Sequence, residues 1–351
     1  MERNVQLSVI IPMYRGKEYI QQAVESVLPV SYSKEILIVD DGSPDDSMDF
    51  CRSLWAEHKE IVLLQKENGG IVETRNYGID RARGKYLLFM DQDDLSVPAT
   101  VEMAVETAEQ THADMVMFST QRLYEDGNRL PCDTVLQPGL LETAAIKTEL
   151  LDQMLMNTGN TVVSCITHVW ANLYRRERVV QWGIRFKRFV DYEDDYLFVF
   201  DYLRCAQKVA MIKPVGYYWR YNLKSETYRQ KYIPGIVQRY ENWYRYMLRC
   251  MDETGWAEGL REQYLLYIRQ DVLVRAVENC FTYLNLSKEE KKELLAIIRG
   301  QKDAFRKSSV VPYSKRRKRI FVLLQKGLPL VAYSYVYLDS VYRKFRRMLT
   351  K

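Results

Sequence analysis

Residues 7–41 read LSVIIPMYRGKEYIQQAVESVLPVSYSKEILIVDD. Two apolar runs rich in β-branched residues, at 7–11 and 35–39, flank an amphipathic stretch near 17–28. Each run has the length of a buried strand and the stretch between them has helical period, so the segment predicts a βαβ unit. The pattern repeats outward. Further strands are expected at 61–65, 85–90 and 114–119, with helices near 45–57, 70–83 and 97–110, the last entered through Ser96 with Pro98 in its first turn. Alternation over five strands predicts an α/β domain built on a doubly wound, mostly parallel sheet.

Residues 121–230 are irregular and rich in Tyr and Trp, and they read as a continuation of the same domain that covers the sheet edge. From 234 to 300 the chain turns helical: Leu265, Ile268, Val272 and Ala276 recur at three- and four-residue spacing, and Ser287 with Glu290 forms a capping box. The expected division is a catalytic domain at 1–230, a helical extension at 231–300 and a basic, aromatic tail at 301–351.

The 351 residues carry 51 Lys plus Arg against 46 Asp plus Glu and are 47% hydrophobic, a globular composition that excludes disordered and collagen-like classes. Cys51, Cys132, Cys165, Cys205, Cys250 and Cys280 are far apart and form no CxxC pair, so no zinc ribbon or redox couple is spelled out. They read as reduced thiols of a cytosolic protein. No apolar run reaches the roughly 18 residues of a spanning helix, and MERNVQLSVIIP enters a strand directly, without the order of a signal peptide. The net charge of +5 hides an asymmetry: residues 299–351 hold 15 Lys and Arg against Asp303 and Asp339, a local +13 that leaves about −8 on the rest.

Three acidic clusters carry candidate chemistry. Asp40 and Asp41 end the second expected strand in ILIVDDGSPDD, where a carboxylate can accept hydrogen bonds from a nucleobase NH or ribose hydroxyls. An Asx turn explains the same residues. Asp91, Asp93 and Asp94 end the fourth strand in KYLLFMDQDDLSVP; crowded carboxylates repel unless a cation sits among them, and hard oxygens suit Mg²⁺ or Mn²⁺ beside a phosphate. In an extended segment Asp91 and Asp93 face one way and Gln92 the other. The plainer reading is an acidic loop ending in a helix N-cap. Asp191, Glu193, Asp194 and Asp195 form the third cluster, on a separate segment, where a general base could stand without being consumed as a metal ligand. A helix N-terminus with favourable dipole charges accounts for it equally.

In order, SVIIPMYRGKEYIQQAVESVL (8–28), IVDDGSPDDS (38–47), ENGGIVETRNYGIDRARGKYLLFMDQDD (67–94), VWANLYRRE (169–177), YEDDYLFVF (192–200) and YYWRYNLKSET (217–227) resemble a bacterial family 2 inverting glycosyltransferase with the A-type nucleotide-sugar-binding fold. The resemblance covers about 7–227 and not the chain after 234. It implies that Pro12 and Tyr14 line the nucleotide pocket and that Asp41, with Asp40 beside it, recognises the base, usually uracil. It further implies that Asp91 and Asp93 are the Asp-x-Asp motif, with Asp93 on the metal and Asp91 nearer the ribose. Asp194 matches the catalytic base of the Glu193–Asp194 pair, while Arg220 and Ser225 match a late loop over the diphosphate. Thr74 departs from the family's usual Ala before Arg75 and Asn76, which weakens a role for Arg75 on the phosphates.

The implied partners are a nucleotide-sugar donor, most often a UDP-sugar, and a saccharide or lipid-linked saccharide acceptor, with divalent Mn²⁺ or Mg²⁺ as cofactor. Rival readings meet specific objections. Dehydrogenases, P-loop enzymes and nucleotidyltransferases need a glycine-rich phosphate loop after the first strand, where PMYRGKEY has one glycine. A nucleic-acid binder would use the basic tail and many tyrosines, but Tyr and Trp are interspersed with acids at 170–245, so no nucleic-acid partner is expected. In the tail, KRRKR (315–319) and RKFRR (343–347) flank an apolar, aromatic segment. That composition fits an interfacial segment on anionic lipid at the inner face of the cell membrane, or a helical subdomain with a solvated basic rim.

Overall fold

The structure, a computed structural model, describes residues 5–156, 162–163, 167–189, 194–222, 236–254 and 315–349, with single positions 261, 262, 274 and 292. The helical repeat at 265–276 and the capping box at 287–290 lie outside the described residues, Val274 excepted. The chain divides into two units, Met1–Arg188 with Tyr192–Leu223, and Phe189–Asp191 with Lys224–Lys351.

In the first unit the strands are β1 (Leu7–Met13), β2 (Lys34–Asp40), β3 (Ile61–Gln65), β4 (Tyr86–Phe89), β5 (Leu95–Ser96), β6 (Met115–Leu123), β7 (Arg129–Pro131), β8 (Gly139–Glu142), β9 (Asn172–Arg175) and β10 (Lys208–Arg220). Helices α1 (Ile20–Val27), α2 (Ser47–Leu54), α3 (Ile71–Arg81) and α4 (Pro98–Thr111) alternate with the first strands. Short helices α5 (Thr143–Ile146), α6 (Asp152–Met156) and α7 (Arg176–Gln181) follow, and then α8 (Asp194–Cys205). One sheet runs β3-β2-β1-β4-β9-β6-β10-β5, with β7 paired to β6 and β8 to β10. β3, β2, β1 and β4 are parallel neighbours, as are β6 and β10.

Helices cover the middle of the sheet because β1, β2 and β4 are buried on both faces. All seven residues of β1 are buried, and α1 turns Ile20, Ala23, Val24 and Val27 inward at helical spacing. α3 lies so close to β1 that a Cβ on Gly78 would stand 2.5 Å from Ile10 Cγ2. Burial pushes the Cys51 thiol up to about 12, which leaves it inert, and Cys51, Cys132, Cys205 and Cys250 form no disulfide.

The expected edge cover at 121–230 is corrected here. VWANLYRRE contributes β9, which runs antiparallel between β4 and β6 in the middle of the sheet, and β10 lies beside β6. An aromatic cluster explains the placement. Phe89 of β4, Tyr174 of β9, Phe186 and Phe198 of α8 meet with ring centroids 4.3–5.7 Å apart. The same cluster fixes α8, and with it the turn that begins at Asp194.

In the second unit α9 (Ile236–Thr254) precedes a hairpin of α10 (Lys315–Gln325) and α11 (Pro329–Leu349). α10 stops at Gly327, whose φ of +70° lets its N–H reach the Leu324 carbonyl while the Leu328 N–H reaches Leu323. Ile320, Phe321 and Leu324 are buried on one arm, Ala332 and Val336 on the other.

Candidate active site

Ligands of open α/β sheets gather at the carboxyl ends of the strands, and the acids at 40–41 and 91–94 stand there, at the ends of β2 and β4. At the end of β2 the two neighbouring acids do different work. Asp40 is fully buried and its carboxylate accepts from the Ser43 N–H, the Ser43 hydroxyl at 2.5 Å and Gln65 Nε2 at 3.1 Å, which closes the Asp-Gly-Ser turn. Asp41 turns toward the glycine pair before α3, accepting from Lys66 Nζ at 2.7 Å and from the N–H groups of Gly69 at 2.9 Å and Gly70 at 2.7 Å. Burial alone would raise its pKa. The hydrogen bonds from Lys66, Gly69 and Gly70 outweigh that and hold it below the usual carboxylate value. Thr74, the departure from the family pattern, donates its hydroxyl to the Gly70 carbonyl at 2.9 Å and so braces the glycine pair that holds this carboxylate.

At the end of β4 the three acids also separate. Asp94 is buried, accepting the Tyr217 hydroxyl at 2.7 Å and the Arg220 N–H at 2.8 Å; burial and the charges of Asp93 and Asp91 push it well above the usual range. It is the internal brace of the loop. Asp93 bears a weaker tie, the Asn222 amide at 3.3 Å, and is raised by burial and by the Asp91 charge. Asp91 faces Arg75 at 2.9 Å and is raised by burial and by Asp195 despite that partner. Residues 91–94 form a turn rather than the expected extended segment, the Asp94 N–H reaching the Asp91 carbonyl at 3.2 Å, and from it Gln92 clamps the backbone of Tyr14 from both sides, accepting its N–H at 2.9 Å and donating to its carbonyl at 3.1 Å. The Tyr14 ring is thereby held exposed just past β1, where Pro12 is buried.

Arg75 is the hinge pin of the site. Buried on α3, its guanidinium pairs with Asp91 and, at 2.5 Å, with Asp195 in the first turn of α8. Its plane also lies 5.1 Å from the Phe186 ring centre. Asp195 further accepts the Val169 N–H at 3.3 Å. Arg220 is engaged within the fold: Nε donates to the Asp93 carbonyl at 2.7 Å and a terminal nitrogen donates to Gln22 at 2.8 Å. Asp194 opens α8, but its side chain, and Glu193 and Ser225 as a whole, lie outside the described residues.

Asp91 and Asp93 suit a hard divalent cation. Each is driven toward protonation by burial and by a neighbouring negative charge, which a cation between them would offset. Among the described residues no third His, Cys, Asp or Glu completes a metal-ligating group, so diphosphate oxygens and water would fill the shell.

Several residues of the site have no local signal in the sequence. Tyr217 holds both Asp94 and the Asp91 N–H, the latter at 3.0 Å, and stacks on Trp170 at 4.6 Å, which stacks on His168 at 4.5 Å. Lys66, Asn222 and Asp195 complete the set. The one hint was the aromatic density of VWANLYRRE and YYWRYN.

Residues 8–175 match the sequence model of Glycosyl transferase family 2. The uncharacterized glycosyltransferase EpsJ of Bacillus subtilis (strain 168) is 28% identical over 293 residues, 83% of each chain. Glycosyltransferase GlyG of Streptococcus pneumoniae serotype 4 is 33% identical over 125 residues, 35% of this chain and 42% of GlyG. Among solved structures, S. aureus TarS 1–349 in complex with UDP-GlcNAc superposes with a TM-score of 0.64 at 18% identity, covering 97% of this chain and 92% of that one, which establishes the shared fold. These findings favour sugar transfer over the rival readings. Residues 8–175 are a family 2 glycosyltransferase domain.

Proposed function

We propose that the protein transfers a sugar from a nucleotide diphosphate donor, a UDP-sugar, to an acceptor hydroxyl with inversion at the anomeric carbon. The observation that carries the reading is the double ion pair of Arg75, which ties the strand bearing Asp91 to the helix that opens at Asp194. TarS, of the same fold, is known with UDP-GlcNAc and with UDP, which supports this donor class.

The residues divide the work. A carboxylate offers about four lone-pair sites; Asp41 spends three on Lys66, Gly69 and Gly70, and the fourth accepts the imide NH of uracil. Tyr14, exposed and clamped by Gln92, flanks the base. Asp91 and Asp93 would hold Mg²⁺ or Mn²⁺, which supplies charge stabilisation for the leaving diphosphate. Asp194 takes the acceptor hydroxyl proton as the new C–O bond forms; the bond to the diphosphate breaks, and its electron pair leaves with the nucleotide. By the family pattern Glu193 is the neighbour of the base in the Glu-Asp pair, and Ser225 belongs to the loop over the diphosphate. Attack opposite the leaving group inverts the centre without a covalent enzyme intermediate. The acceptor is a saccharide or lipid-linked saccharide of a surface polysaccharide, met at the inner face of the cell membrane.

A screen against UDP-, GDP- and dTDP-sugars, with product anomers read by NMR, tests the donor and the stereochemistry. Asp194→Asn should lower kcat by roughly 10² to 10⁴ while donor affinity stays near that of the parent. Retention of configuration, or full turnover in that variant, would refute the mechanism.

A further inference from the structure

The α10–α11 hairpin carries a two-sided charge and hydropathy pattern that sugar transfer does not use. Eight of the fifteen large hydrophobic residues exposed among the described residues lie in it, so the apolar surface is concentrated rather than scattered. On α11 they recur at helical spacing: Leu330 (61% exposed), Val331, Tyr337, Leu338 (65%), Val341 and Tyr342 (62%). From 330 to 342 this stripe runs about 18 Å along the helix, opposite the face that buries Ala332 and Val336. Arg316 pairs with Asp339 at 3.0 Å and Arg319 reaches the Tyr335 hydroxyl, so the arms are antiparallel. The basic runs 315–319 and 343–347 therefore gather toward one end of the hairpin, with the stripe extending from them to the turn. Residues 315–349 hold ten Lys and Arg against one acid, Asp339, which is already paired.

We propose that this face docks on an anionic lipid bilayer, with the α11 stripe laid into the headgroup boundary and the basic end against the phosphates. Charge complementarity selects the occupant. A second copy would bring two surfaces of net +9 together, whereas an acidic bilayer neutralises both clusters and receives the apolar side chains. Among the described residues no helix is long and apolar enough to cross a membrane, so the hairpin lies on the bilayer. The proposal deepens the reading of a lipid-linked acceptor and rests on it for purpose, but its test does not depend on turnover.

Full-length protein is sedimented with vesicles of phosphatidylglycerol and phosphatidylcholine, and with phosphatidylcholine alone. Binding to the anionic vesicles is expected, falling about tenfold as salt is raised well above physiological strength while an apolar part persists. Leu338→Gln with Tyr342→Gln, both at exposed positions, should cut binding about tenfold or more with unchanged circular dichroism. Lys318→Glu with Arg319→Glu should remove the preference for anionic lipid. Absence of binding at low salt overturns the proposal, as does a dimer in light scattering that the Leu338/Tyr342 pair dissolves. Donor hydrolysis measured on the same samples keeps this outcome apart from failure of the sugar-transfer reading.

Discussion

Arg75 and Asp195, 120 residues apart in sequence, meet at 2.5 Å beneath the site, and the second arm of the same guanidinium holds Asp91. One planar fork thus sets the distance between the strand and the helix that frame the chemistry.

Replacing Arg75 with Met leaves two carboxylates partly buried without their cation. Breaking such a pair costs about 3–5 kcal/mol, or roughly 6–20 °C in melting temperature for a domain of this size. The kcat/KM should fall at least about 10²-fold, because the α8 turn loses its tie to β4. Arg75→Lys, which reaches only one carboxylate at a time, should lie between the two. Calorimetry and steady-state rates decide it, and a melting point within about 2 °C of the parent would count against the strut.

Asp93→Asn is expected to abolish turnover and yet stabilise the metal-free protein. Burial and Asp91 raise the Asp93 pKa in the folded state, so the fold prefers it protonated. The resulting destabilisation is absent below the ordinary carboxylate pKa and grows as pH rises through the raised value. At neutral pH in EDTA the variant should melt about 2–4 °C higher, corresponding to about 1 kcal/mol, and at pH near 3 the two curves should coincide. A lower melting point at pH 7 would contradict the charge crowding.

Asp41 has the opposite sign. Its folded pKa is depressed, so its contribution is complete above the ordinary carboxylate value and is lost as pH falls through the depressed one. Asp41→Asn should cost about 1–3 kcal/mol at pH 7, with UDP affinity lost as well, and the stability gap to the parent should close as pH drops below about 4. Urea unfolding across that range measures the gap; one that stays constant would place the energy elsewhere.

The first four parallel strands were legible because each is an unbroken apolar run between turn residues, and the observed strands match the expected ones within a few residues. β9 was hidden. Four residues, Asn172–Arg175, carry no periodicity, and their strand state comes from β4 and β6 pairing on either side. Within the acidic clusters the sequence located the site but could not rank its members. Asp94 is distinguished from Asp93 by Tyr217, 123 residues on, and Asp40 from Asp41 by the direction each takes out of one turn. Arg220 was expected over the diphosphate; its guanidinium is bonded to Gln22 and to the carbonyl of Asp93, one of the acids of that site.

The position of β9 also has a temporal consequence. β3-β2-β1-β4 and β6-β10 touch within the sheet only through that strand. During synthesis β4 is complete at residue 89 and its outer edge stays unpaired until residue 175 is made. At usual ribosomal speeds that is roughly 4–17 seconds. For that interval the nascent chain carries an open, apolar sheet edge of the kind that invites pairing with other chains. The exposure of that edge is thus timed by four residues from the middle of the chain.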